Sequence, residues 1–146
     1  MKTDVHLSAR ILLVDDNKLG LAARRMILED AGYGVETAES GEEAWELFQK
    51  NQFDIVVTDF RMGGMDGVQL IRTIRESGSP ARIVLLSGFA SCLGMTVESS
   101  GADEVLCKSN KEVPELLRAV KRLSIQPPRR PASSTPRLVK RKSNAG

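Results

Sequence analysis

Five residues at the ends of apolar runs carry side chains that could do chemistry together. Asp15 and Asp16 follow the run "RILLV", Asp59 follows "IVVT", Ser87 follows "RIVLL" and Lys108 follows "EVLC". Three neighbouring carboxylates repel one another unless a cation lies among them, and hard carboxylate oxygens suit Mg²⁺ or Ca²⁺. A hydroxyl and an ammonium beside them would bind phosphoryl oxygens, with Asp59 as the nucleophile. These residue types predict a divalent-metal site that supports phosphoryl transfer.

Such side chains can meet only if the apolar runs are parallel strands of one sheet. The runs lie at 10–16, 33–38, 53–59, 81–88 and 102–108, and each is short and apolar, as a strand buried on both faces would be. Helical patterns separate them, so five βα units predict an α/β fold with a doubly wound parallel sheet and five helices. In the strand order 2-1-3-4-5, the switch point where ligands bind would hold the ends of the first and third strands.

Two of the helices are predicted from apolar stripes at helical spacing. The stripe of the first helix is predicted to be Leu19, Ala22, Ala23, Met26 and Ile27. The fifth helix is predicted to open around Pro114 and to carry Val113, Leu116, Leu117, Val120 and Leu123 on its apolar side. Both stripes would pack on the sheet.

The other three helices differ in the strength of their signals. Ser40 and Glu43 form a capping-box signature that starts the second helix. The third helix is predicted over 67–76, with Asp66 as its cap. The fourth segment, "ASCLGMTVESSG", is interrupted by Gly94 and diluted by β-branched residues, so we expect it to be the most mobile of the five.

Each candidate site residue also has a purely structural interpretation. Asp15 and Asp16 could cap the first helix, because acidic residues are favoured at a helix start. Ser87 could be a turn residue before a glycine, and Lys108 could be a solvated strand end. The occurrence of all five at the ends of predicted strands favours the site.

Charge divides the chain into an acidic body and a basic tail. Residues 1–120 contain 13 Lys and Arg against 19 Asp and Glu, a net charge of −6, whereas residues 121–146 contain eight basic residues and no acidic one. The segment 124–146 is rich in proline and serine and is predicted to be disordered, leaving 8–123 as the single folded domain. The tail lacks aromatic residues for base stacking, so any contact with nucleic acid would be nonspecific and salt-dependent.

Targeting and redox signals are weak. The first apolar run is too short for a signal-peptide core, and no stretch reaches the ~20 apolar residues of a membrane-spanning helix, so we expect a cytoplasmic protein. Cys92 and Cys107 show no CxxC spacing, and we expect two free thiols in a reducing compartment.

The motifs together resemble a known family. The pair in "LLVDDN", the segment "TDFRMGGMDG", the serine in "LLSG" and the lysine in "VLCK" are similar to the receiver domain of bacterial two-component response regulators, in its stand-alone chemotaxis-regulator form. The resemblance covers about residues 8–123 and implies a flavodoxin-like fold. It also implies that Asp59 accepts a phosphoryl group from a phosphohistidine on a sensor histidine kinase or a phosphotransfer protein.

The resemblance further implies a role for each site residue. Asp16 would bind Mg²⁺ directly and Asp15 largely through water, and the backbone carbonyl of Arg61 would join Asp59 as a ligand. Lys108 would hold a phosphoryl oxygen. Ser87 would move toward the aspartyl phosphate and carry the signal to a surface that binds a downstream target protein.

Three positions depart from the family pattern. Ser109 follows the lysine where a proline with a cis bond is usual, Val105 replaces a switching aromatic, and Gly63 replaces a frequent proline. We expect the loop after Asp59 to be looser, because glycine adds conformational freedom. None of these changes removes a reacting group.

Two functions of different classes follow. The first is a phosphorelay receiver that switches a protein-interaction surface and is no turnover enzyme, since it catalyses only its own phosphotransfer and autodephosphorylation. The second is a phosphorylation-independent, receiver-like interaction module with a nucleic-acid-binding tail, which Val105 and Ser109 favour. An aspartyl phosphatase is disfavoured because Phe60 and Arg61 stand where such enzymes have a "DxDxT" motif.

Overall fold

A computed structural model describes residues 9–88, 96–109 and 112–125 of the chain. Five parallel strands form one sheet in the order β2-β1-β3-β4-β5, which confirms the predicted topology. The strands are β1 Arg10–Val14, β2 Gly34–Ala38, β3 Ile55–Asp59, β4 Arg82–Ser87 and β5 Glu104–Cys107. The helices are α1 Lys18–Asp30, α2 Gly41–Lys50, α3 Gly67–Glu76, α4 Val97–Ser100 and α5 Glu112–Ile125.

Helices cover the sheet on both faces because the strand side chains alternate in direction. On one face, α1 and α5 pack on odd-numbered residues of β1 to β3, such as Ile11, Leu13 and Val57, and on Val84 and Leu86 of β4. On the other face, α2 and α3 pack on their neighbours, such as Leu12 and Val56. The three central strands are almost entirely buried, as their apolar sequences predict, whereas β5 lies at an edge and is partly exposed.

The predicted apolar stripe of α1 is wrong. Leu19 and Met26 are 83% and 65% exposed, and the residues of this helix that reach the core are Leu21 and Leu28. Ala22 and Ala23 are also exposed, and only Ile27 of the predicted set is partly buried. The stripe was misplaced because a polar residue, Arg24, occupies the buried face between the two leucines.

Helix α5 differs from its prediction at both ends. It begins at Glu112 and ends at Ile125, so it extends beyond residue 123. Val113 is 41% exposed, which corrects its place in the predicted stripe, whereas Leu116, Val120 and Leu123 are buried. The two residues of the predicted tail that are described, Ser124 and Ile125, are therefore helical.

The other helices follow their predictions more closely. Helix α3 has the predicted bounds, and Asp66 caps it through a capping box with Gln69. Ser40 accepts a hydrogen bond from the Glu43 amide at the start of α2, while the Glu43 carboxylate accepts one from the Glu39 amide. Of the fourth segment, Val97–Ser100 forms a single turn, and residues 89–95 lie outside the described part of the chain.

Candidate functional site

Three carboxylates meet at the carboxyl ends of β1 and β3, next to the switch point of the sheet. Oxygens of Asp15, Asp16 and Asp59 all lie within 4.8 Å of one another. Asp59 is the last residue of β3 and is 5% exposed, and Asp15 directly follows β1 and is 2% exposed, whereas Asp16 is exposed. The structure therefore brings together the three acidic residues that the sequence selected.

Asp59 is paired with a cation from β5. The Lys108 ammonium forms an ion pair with Oδ1 of Asp59, and the Lys108 amide donates to the Ser87 carbonyl at 2.9 Å. Burial raises the pKa of the Asp59 carboxyl above its ordinary value, and the hydrogen bond and charge of Lys108 offset that rise only in part. Lys108 is thus no solvated strand end, because its charged group lies in the acidic pocket.

Asp15 is paired with a second cation, which the sequence did not predict. Arg24 of α1 donates through Nη1 to Asp15 Oδ2 at 2.5 Å and through Nε to Glu112 Oε2 at 2.6 Å. Burial disfavours the charged guanidinium, but hydrogen bonds and charges from Glu112 and Asp15 outweigh it and raise the pKa of Arg24. The sequence signal for this ion pair is the position of Arg24 between Leu21 and Leu28, on the same face of the helix. The predicted stripe, which contains Leu19 and Met26, places that face toward solvent.

Neither aspartate of the pair caps α1. The cap is Asn17, whose side chain accepts hydrogen bonds from the amides of Leu19 and Gly20 at 3.0 and 3.1 Å. Oδ1 of Asp15 accepts from the Asn17 amide at 3.0 Å, which fixes this carboxylate at the end of β1. The structural interpretation of Asp15 and Asp16 as helix caps is therefore wrong.

Ser87 lies at the same edge of the sheet but has a less defined contact. It ends β4, is fully buried and is in register with Cys107. Its hydroxyl lies 3.5 Å from the Gly88 carbonyl, which is long for a hydrogen bond. Val105, two residues before Cys107 on β5, is partly buried against the core on the α2–α3 face of the sheet.

The loop between β3 and α3 is held by a residue from outside it. Glu42, in the first turn of α2, accepts a hydrogen bond from the Met65 amide at 3.1 Å. Gly64 has a φ of +73°, a backbone conformation that residues with a side chain rarely adopt. A Cβ at this position would lie 2.8 Å from Glu42 Oε2. Arg61, the predicted carbonyl ligand, lies in this loop with an exposed side chain.

The cysteine beside the site is not a free thiol. Cys107, immediately before Lys108, is disulfide-bonded, so the prediction of a free thiol at this position is wrong. The other cysteine of the sequence, Cys92, lies outside the described residues.

The donor set fits a hard divalent cation. Mg²⁺ takes few protein oxygens and keeps several waters, and three carboxylates at this separation, one of them exposed, offer such ligands. Lys108 and Arg24 each form an ion pair with one carboxylate of the trio, which reduces the repulsion among the three. Among the described helices, none is long and apolar enough to cross a membrane.

Comparisons with known proteins point to one family. Residues 11–121 match the family model of the response regulator receiver domain. A gliding motility regulatory protein from Myxococcus xanthus is 36% identical over 121 residues, which are 79% of this chain and 15% of that protein. The chain therefore spans a small part of this curated relative.

Two solved structures have the same fold over nearly their whole length. Response regulator protein TrrA from Thermotoga maritima, crystallised in complex with Mg²⁺-BeF, is 36% identical with a TM-score of 0.70, over 79% of this chain and 98% of that one. Chemotaxis protein CheY4 from Vibrio cholerae is 30% identical with a TM-score of 0.69, over 80% and 98% of the two chains. The match to the family model, the strand order and the acidic pocket agree, and the chain belongs to the response regulator receiver domain family.

Proposed function

We propose that the domain accepts a phosphoryl group on Asp59 from the phosphohistidine of a sensor histidine kinase or a phosphotransfer protein. The observation that carries this proposal is the buried Asp59 carboxylate, with two further carboxylates within 4.8 Å and the Lys108 ammonium bound to Oδ1. Asp16 would ligate Mg²⁺ directly and Asp15 largely through water. Asp59 and the backbone carbonyl of Arg61 would complete the protein ligands.

The transfer needs an ionised nucleophile and compensation for developing charge. An oxygen of the Asp59 carboxylate attacks phosphorus, the P–N bond to the imidazole breaks, and the imidazole leaves with the electron pair. Lys108 is already within ion-pairing distance of the nucleophile and is placed to follow a phosphoryl oxygen as the charge moves outward. Mg²⁺, when bound, would supply further charge compensation at the phosphoryl oxygens.

The output is proposed to be a change of interaction surface. Ser87 is buried at the end of β4, and its carbonyl accepts a hydrogen bond from the Lys108 amide, through which a change at one strand end would reach the other. The hydroxyl of Ser87 would turn toward the aspartyl phosphate, and the surface around β4 and β5 would present a new face to a target protein. The domain would act in the cytoplasm and catalyse only its own phosphotransfer and autodephosphorylation.

A second function has one specific observation in its favour. Val105 and Ser109 replace the aromatic and the proline of the family pattern, and Val105 is packed against the core. A module with a weakened switch would bind its partner whether or not Asp59 is phosphorylated. Its basic tail, which follows α5 from residue 126, would then add nonspecific contact with nucleic acid.

Intact mass after incubation with acetyl phosphate and Mg²⁺ tests the first function. We expect the unaltered chain to gain one phosphoryl group, and Asp59→Asn and a chelated sample to gain none. Asp30→Asn is the matched control, because it removes an exposed carboxylate at the end of α1. A gain that survives in Asp59→Asn would exclude Asp59 as the acceptor, and failure with competent kinases as well would favour the constitutive module.

A further inference from the structure

One buried arginine connects the acidic pocket to the helix that follows Lys108. The Arg24 side chain is 11% exposed and lies between Asp15, with a side chain 3% exposed, and Glu112, with a side chain 16% exposed. Asp15 belongs to the acidic trio, and Glu112 is the first residue of α5. The three groups form one chain of charge from the end of β1 through α1 to α5.

This arrangement sets a fixed positive charge against a carboxylate of the metal pocket. Oδ1 of Asp15 accepts the Asn17 amide and Oδ2 accepts Arg24, so this carboxylate is bonded at both oxygens. A divalent cation in the pocket and the Arg24 guanidinium are attracted by the same negative charge and repel each other. At this burial, charges a few ångströms apart interact more strongly than in water.

Glu112 acts on the pocket in the opposite sense. Its carboxylate shares the Arg24 guanidinium with Asp15, through Nε rather than Nη1. It therefore draws positive charge away from the acidic pair and adds negative charge nearby. Removing the arginine and removing the glutamate break the same bridge between α1 and α5, yet they change the potential at the pocket with opposite signs.

We propose that Arg24 is a positioning residue that sets the Mg²⁺ affinity of the acidic pocket, and that Glu112 moderates its effect. The inference rests on the proposed function, since it concerns the regulation of the same site. Arg24 weakens metal binding by holding Asp15 and by its own charge. Glu112 strengthens binding by holding Arg24.

Linkage makes the effect reciprocal. If Glu112 increases the affinity of the pocket for Mg²⁺, then bound Mg²⁺ must stabilise the chain that has Glu112 relative to Glu112→Gln by the same factor. Metal in the pocket would shift Arg24 from Asp15 toward Glu112 and tighten the first turn of α5. Metal occupancy would thus be sensed at the helix that follows Lys108 and Ser109, where the usual proline is missing.

Calorimetric titration of the full chain with Mg²⁺ at constant ionic strength tests the proposal. We expect Arg24→Gln to bind Mg²⁺ about tenfold more tightly, and Glu112→Gln to bind it several-fold, roughly fivefold, more weakly. Arg24→Lys keeps the positive charge, so it should bind Mg²⁺ almost as weakly as the unaltered chain does. Arg25→Gln is the matched control, because Arg25 is on the same helix in an exposed pair with Glu29 and loses the same charge.

The outcomes separate this role from a structural one. Equal shifts in the same direction for Arg24→Gln and Glu112→Gln would mean that the bridge only holds two helices together, and would overturn the proposal. So would an affinity of Arg24→Gln equal to that of Arg25→Gln. Thermal melts in chelator show whether each variant folds. If Arg24→Gln does not fold, the Mg²⁺ affinities of Arg24→Lys and Glu112→Gln still distinguish the proposed role from a structural one.

A second readout does not depend on phosphorylation. Hydrogen exchange of the amides in the first turns of α5 should slow when Mg²⁺ is added to the unaltered chain and should not respond in Arg24→Gln. Failure of the proposed function would appear separately, as absence of a mass gain with acetyl phosphate. Normal phosphorylation with Mg²⁺ affinities unchanged by the variants would reject this inference alone.

Discussion

Gly67 packs directly against the backbone of Asp59 and leaves no room there for a side chain. A Cβ at position 67 would overlap the Asp59 carbonyl oxygen and would lie 3.0 Å from Leu85 Cδ1 and 3.1 Å from the Cα of Phe60. Gly67 is the first residue of α3, and its amide donates to the Phe60 carbonyl at 2.9 Å. The start of α3 therefore fixes where β3 ends, and with it the position of the nucleophile.

A methyl group at this position should disturb both stability and chemistry. We expect Gly67→Ala to lower the free energy of unfolding by about 2 kcal/mol, because the backbone of Asp59 must shift to admit it. It should also slow phosphoryl acceptance from acetyl phosphate. Gly63→Ala is the control, since a Cβ there meets nothing within 4 Å. Equal stabilities of the two variants in urea would show that the contact is not restrictive.

Burial of Asp59 predicts a pH dependence of stability. Its pKa is higher in the folded chain than in the unfolded one, so its contribution is full below the unfolded pKa and is lost as pH rises through the folded pKa. In chelator, Asp59→Asn should be more stable than the unaltered chain at neutral pH, by about 1 kcal/mol. The difference should shrink as the pH falls below the ordinary range of aspartate. Thermal melts across this range would contradict the assignment if the difference grew instead.

The orientation of α1 can be tested by a pair of truncations. Leu28→Ala should lower the free energy of unfolding by about 3 kcal/mol, because Leu28 is fully buried in the core. Met26→Ala should change it by less than about 0.5 kcal/mol, because Met26 is 65% exposed. Urea unfolding distinguishes the two orientations, since the stripe predicted from sequence requires the reverse order.

The capping box of α3 should contribute measurably to stability. Asp66 Oδ1 accepts the Gln69 amide at 2.9 Å, and Gln69 Oε1 accepts the Asp66 amide at 2.9 Å. We expect Asp66→Ala to lower the free energy of unfolding by about 1 kcal/mol, whereas Asp66→Asn should retain most of it, because both side chains cap well. A loss as large in Asp66→Asn would mean that the charge, rather than the cap, is responsible.

The sheet could be predicted from sequence because each of its signals is local. Apolar runs such as "IVVTD" identify strands without reference to the rest of the chain, and the carboxyl ends of parallel strands meet at one edge. For that reason Asp15, Asp59 and Lys108 were brought together correctly. The bounds of α3 were also correct, because a capping residue and an apolar stripe agree there.

The failures concern relationships that no local pattern contains. Arg24 and Glu112 are 88 residues apart in sequence, so the bridge between them is visible only in the fold. The stripe predicted for α1 is wrong because its exposed face carries as many apolar residues as polar ones, while an arginine lies on its buried face.

The separation of 88 residues between Arg24 and Glu112 also determines when the bridge beside the acidic pocket can form. A ribosome releases Asp15 and Asp16 early and Asp59 midway, but Lys108 and Glu112 emerge only as synthesis of the domain ends. Contacts between distant parts of a chain form late in folding, because closing the loop costs entropy before the contact repays it. The nascent chain thus carries its acidic pair for most of its synthesis with the Glu112 end of the bridge still missing. A functional pocket would then itself report that the whole domain has been completed and folded.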